Sequence, residues 1–143
     1  MMKNDGLQLY LVEAQKHQLR YLNELNELRD DLISGQFKSR DYRAAERLLQ
    51  VFTELCIGLA KHWVKQLQGQ SSSEAYQNFA LLAEHGVISS EELVTWKKII
   101  GMRNGLVHDY LNVDPLIIQT IIKNKHYQEL ADFAGKAIAE LRS

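Results

Sequence analysis

One proline, Pro115, occurs in 143 residues, and along most of the chain apolar side chains return every three or four positions. Proline removes a backbone donor and breaks helix interiors, so its scarcity leaves long helices uninterrupted. Strict alternation over four or more residues, the mark of a half-buried strand, is rare. Leu7, Leu11, Ala14, Tyr21, Leu22, Leu25, Leu28 and Leu32 fall on one helical stripe, and Gly35 marks its end. A second helix starts near Ser39 or Asp41, either of which can accept from the orphan N–H groups of a first turn. Its apolar face is Leu48, Phe52, Leu55, Leu59 and Trp63. Gly69 and the run Gln70-Ser71-Ser72-Ser73 read as a loop.

A shorter helix is predicted over about residues 74–84, with Gly86 as its left-handed terminator. Ser89 followed by Glu92 forms a capping box for the next helix, which carries Leu93, Trp96, Ile99 and Ile100. Asp114-Pro115 is a cap with proline at the first helical position, opening a short helix to about residue 123. A last helix is expected from about Lys125 to Leu141. The fold class expected is all-α: an up-and-down four-helix bundle with one or two additional short helices, in a single domain over residues 1–143.

The net charge of -1 argues against a general nucleic-acid coat protein but leaves room for a local phosphate site. The lone Cys56, flanked by Leu55, Ile57 and Leu59, reads as a buried structural thiol, not a nucleophile. It permits no intramolecular disulfide and fits a reducing cytoplasm. No leader peptide is expected, and no apolar run approaches the ~20 residues of a membrane span. The expectation is a cytoplasmic protein with no membrane contact. His17, His62, His85 and His126 include no pair three or four apart, so no helical metal pair forms. No phosphate-cradling glycine loop or Gly-x-Ser-x-Gly turn occurs. Neither metal nor cofactor is expected.

Chemistry concentrates in Arg103-Asn104-Gly105-Leu106-Val107-His108-Asp109-Tyr110. A guanidinium holds phosphate oxygens with a planar fork of donors. An imidazole moves protons near neutral pH. In metal-free RNA cleavage the 2′-hydroxyl attacks the adjacent phosphorus; His108 can act as base or acid, and Arg103 can neutralise the growing charge. Helical geometry opposes a simple version. At ~100° per residue, Arg103 and His108 stand ~140° apart, while Arg103 shares a face with Tyr110, and Asn104 with His108. The arginine can swing across, Gly105 can loosen the helix, or a two-fold dimer can bring two motifs to one cleft.

Asn104 and Asp109 are supporting candidates that can orient His108, or plain surface groups. Glu54, in the second helix, can pair with an arginine such as Arg103, or face solvent. Lys97 and Lys98 can guide a nucleic-acid backbone or simply be solvated. Arg103 and His108 themselves can be a capping arginine and a structural histidine.

Arg, four residues, His, one residue, Tyr resembles the signature of the HEPN superfamily. More closely, it resembles that of the HepT-like toxins encoded beside MNT-type minimal nucleotidyltransferases. Asp41-Tyr42-Arg43-Ala44-Ala45-Glu46-Arg47 through Glu54 resembles the family's long second helix. Ser73-Glu74-Ala75-Tyr76 with Phe79, Leu82, Gly86, Val87 and Ile88 resembles its middle section. The likeness runs from about Asp41 to the C-terminus. It implies a metal-independent endoribonuclease toxin with Arg103 and His108 as catalytic residues, acting on an RNA substrate between the protomers of a homodimer. It implies a nucleotidyltransferase antitoxin as partner, with Tyr110 as acceptor of AMP; as a packing residue, Tyr110 would have no such role. The alternative is a non-catalytic subunit that holds a nucleotide or substrate for a minimal nucleotidyltransferase. A purely structural helical adaptor is a third reading.

Overall fold

The computed structural model describes residues 5–108 and 113–142. Six helices follow one another: α1 (Asp5–Ile33), α2 (Ser39–Gln68), α3 (Ala75–Glu84), α4 (Ser90–Val107), α5 (Pro115–Lys123) and α6 (Gln128–Arg142). No strand forms among the described residues. Four long helices and two short ones make the expected bundle. The stripe of α1 buries Leu11, Ala14, Leu25 and Leu28, and α2 buries Leu49, Phe52, Leu59 and Trp63. Helices α1, α2 and α6 pack mutually, and α3 and α4 close the bundle against α2.

Two glycines let α1 lie close to its neighbours. A Cβ at Gly58 of α2 would stand 2.8 Å from the Tyr10 hydroxyl, and one at Gly135 of α6 would stand 3.1 Å from Gln18 Nε2. Gln18 Nε2 then donates to the Ala131 carbonyl at 2.9 Å. An aromatic cluster fixes α3, α4 and α6: the Phe79 and Trp96 rings stack at 4.3 Å, and Trp96 meets Phe133 edge-on at 4.9 Å. Such pairs add ~1 kcal/mol each beyond area burial.

The caps decide where α4 begins. Ser89 Oγ accepts from Glu92 N–H at 3.0 Å, and the Glu92 carboxylate accepts from Ser89 N–H at 2.9 Å. Asp114 accepts from Leu116 N–H ahead of α5. Neither Ser39 nor Asp41 is the cap of α2. Lys38 holds that position, and Asp41 reaches back from the first turn to accept its N–H at 2.8 Å. Cys56 is fully buried and its Sγ donates to the Leu130 carbonyl at 3.3 Å. Burial raises this thiol well above its ordinary range, with a smaller contribution from Glu129. It is a structural thiol, as its neighbours predicted.

The last helix starts at Gln128, not at Lys125. Helix α5 ends in a Schellman turn: Lys125 N–H donates to Ile122 O, and His126 N–H to Ile121 O. The same pair of bonds closes α1 at Gly35 and α3 at Gly86, each with positive φ. At α5 the left-handed position is held by Lys125, φ 55°, the only non-glycine with positive φ among the described residues. A Cβ in that conformation costs on the order of 1–2 kcal/mol. Long-range contacts hold the corner: Arg29 Nε donates to Lys123 O at 2.9 Å, and the Tyr127 hydroxyl donates to Asn26 Oδ1 at 2.6 Å.

Candidate functional site

Arg103 lies one turn back from the end of α4, and His108 is its C-cap. The helix runs unbroken through Gly105 to Val107, so the glycine does not loosen it. His108 leaves the helical path with φ −98° and ψ 85°, but its N–H still bonds the Asn104 carbonyl at 3.2 Å. Its Cβ therefore departs near helical phase, ~140° from that of Arg103. One helix end thus presents the guanidinium stem on one side and an exposed imidazole on another.

Arg103 is half-buried. Its Nε is buried and has no hydrogen-bond partner among the described residues, nor does a carboxylate there lie within ion-pair range. An unpartnered guanidinium nitrogen is costly to bury. Its neighbour Asn104 is exposed and meets His108 through the backbone bond. Glu54 lies elsewhere: it is exposed and accepts from Gln50 Nε2 at 3.4 Å. The structure does not bring it to Arg103, because the third residue after Val51 on α2 points outward while Phe52 and Cys56 point inward. Tyr110 and Asp109 lie outside the described residues.

Large apolar side chains are exposed within the motif and at the start of α5. Val107 is 42% exposed, Leu116 67% and Ile117 49%. Beside them, α4 diverges from the α5–α6 corner. Its backbone closely approaches neither helix, although Trp96 reaches Phe133. The gap is a groove of about 710 Å3, lined from α4 by Thr95, Lys98, Ile99 and Met102, and from the other side by Ile117, Ile121 and residues 125–130. Helical periodicity does not reveal this groove, and the sequence pattern places Lys125 at the start of the last helix, not on a groove wall. Among the described residues no three histidine, cysteine, aspartate or glutamate side chains gather as a metal site. No helix among them is long and apolar enough to cross a membrane.

A family profile described as "Ribonuclease HepT-like" matches residues 18–137, and so spans both Arg103 and His108. The chain is 30% identical over 92 residues to an mRNA nuclease HepT of Shewanella oneidensis, covering 64% of this chain and 68% of that protein. It is 28% identical over 97 residues to a tRNA nuclease HepT of Aphanizomenon flos-aquae, covering 67% of this chain and 66% of that one. A solved chain from "Crystal structure of the toxin-antitoxin with AMP-PNP" superposes with a TM-score of 0.77 at 22% identity, over 94% of this chain and 98% of that chain. That likeness establishes the shared helical fold.

Proposed function

The chain belongs to the HepT-like family of ribonucleases, and on that premise we propose that it is a metal-independent endoribonuclease that cuts RNA with Arg103 and His108. The observation that carries this reading is Arg103: a half-buried arginine whose Nε has no acceptor among the described residues, one helical turn and a step before an exposed histidine. The 2′-hydroxyl adds to phosphorus, and the P–O5′ bond breaks. His108 takes the hydroxyl proton or returns one to the departing 5′ oxygen. Arg103 holds the phosphoryl oxygens as their charge grows. The ends left are a 2′,3′-cyclic phosphate and a 5′-hydroxyl.

Helical phase separates the two side chains, so a homodimer with both motifs in one cleft is the arrangement we favour. The exposed Val107 of the motif, with Leu116 and Ile117 of α5, would supply apolar surface for such a contact. In the cell the protein would be the toxin of a toxin–antitoxin pair. Its antitoxin would be an MNT-type nucleotidyltransferase that transfers AMP to Tyr110. A phosphate placed two residues after His108 would compete for the anion site and repel RNA. Asn104 and Asp109 would support His108.

The test is incubation of purified protein with RNA in excess chelator, followed by analysis of the ends. The expected products are cyclic phosphates, and Arg103→Ala or His108→Ala should each slow their formation by at least ~100-fold with helicity unchanged. Cleavage by His108→Ala at the wild-type rate would overturn the assignment. Tight nucleotide binding without cleavage would make the protein a binding subunit.

A further inference from the structure

The groove between α4 and the α5–α6 corner has features that fold stability alone does not require. Its floor is apolar, with Ile99 and Met102 facing Ile117 and Ile121. Exposed cations, Lys98 on one side and Lys125 on the other, stand on its walls, and neither has an ion-pair partner among the described residues. His126 also lines it, and two carboxylates, Glu129 and Asp132, complete the charged lining. On α4 the lining residues Ile99 and Met102 continue directly into Arg103, four residues and one residue on, so groove and motif share one helix edge. The second lysine is the strained one. Where α1 and α3 close the same turn with glycine, α5 closes it with Lys125. Glycine would suit that backbone better, and the lysine there places its side chain on the groove wall.

We propose that this groove carries the single-stranded RNA flanking the cleavage point, with Lys98 and Lys125 on backbone phosphates and a base on the apolar floor. The inference rests on the nuclease reading for the identity of its ligand. What favours nucleic acid over an apolar protein segment is the placing of the two cations. Lysines on opposite walls, without an ion-pair partner among the described residues, bracket an apolar strip, with Glu129 and Asp132 on the α6 side, as in tracks that bind single strands through backbone charge and base contact. The carboxylates give the floor acceptors for the exocyclic amino groups of a base.

The probe is a fluorescein-labelled 2′-O-methyl RNA of about twelve nucleotides, which cannot supply the attacking hydroxyl and so reports binding without cleavage. Lys98→Ala/Lys125→Gly should bind it on the order of 10-fold more weakly. The dependence of log affinity on log salt should become shallower by about 1.4, the value for two single-strand phosphate contacts. The thermal midpoint should be no lower than wild type, because glycine relieves the left-handed backbone. Lys98→Gln/Lys125→Asn is the second variant, since asparagine tolerates that conformation. Wild-type affinity and salt slope in both variants would overturn the proposal. So would intact RNA binding with a changed monomer–dimer equilibrium, which would make the groove a contact between copies. Loss of groove binding in these variants while wild type fails to cleave would remove the catalytic reading and keep this one.

Discussion

Glu129 lines the groove half-buried, and its carboxyl is raised from the ordinary 4.5 by burial first, then by Glu92 and Asp132. The folded protein therefore holds this proton more tightly than the unfolded chain. The contribution to stability is fully present below the unfolded value and is lost as pH rises through the raised folded value. Glu129→Gln, which cannot ionise, should raise the thermal midpoint at pH 7 and leave it unchanged at pH 4. Melts at both pH values check this, and equal shifts would refute it. Other single residues were legible from the chain alone. Cys56 sits inside because its helical neighbours are apolar, and the burial of Phe52 and Leu59 follows from the same stripe. For Glu54 the chain left open an arginine partner or a solvent face; it is exposed, two residues past Phe52 and so across the helix from it.

At the scale of elements, cap chemistry placed the start of α4 where Ser89 and Glu92 said it would be. Ser89→Ala removes an acceptor for one first-turn N–H and should cost about 1 kcal/mol of folding free energy. Urea unfolding would register this as a lower midpoint with unchanged slope. Because α4 carries Arg103 at its other end, cleavage at saturating RNA should be little affected. The helix after α5 was expected three residues early. Residues 125–127 have a helix-compatible composition, yet α5 is terminated by a left-handed lysine. That turn is held by Arg29 and Asn26, about a hundred residues away in the chain. No local pattern announces such a stop. Gly35 and Gly86, by contrast, announced theirs, because glycine favours positive φ by its own chemistry.

The whole molecule sets where Arg103 and His108 stand relative to each other. In one bundle, Arg103 and His108 diverge around the end of α4, so a shared cleft is the simplest way to aim both at one phosphate. A mixing experiment tests this. Arg103→Ala and His108→Ala proteins, each inactive alone, are combined and allowed to exchange subunits. If Arg103 of one protomer works with His108 of the other, half the dimers regain one of two sites, and cleavage returns to about a quarter of wild type. No recovery after verified exchange would place each site within a single protomer.

Helix number, the buried stripes, the caps of α4 and α5, the inert thiol and the Arg103–His108 motif follow from the sequence by itself. Each depends on residues a turn or two apart, where periodicity and capping act locally. Two things were decided only by tertiary structure: the divergence of α4 from the α5–α6 corner and the strained backbone of Lys125. They depend on how helices cross and on side chains that meet across the bundle. Those crossings are settled by packing among all the elements at once.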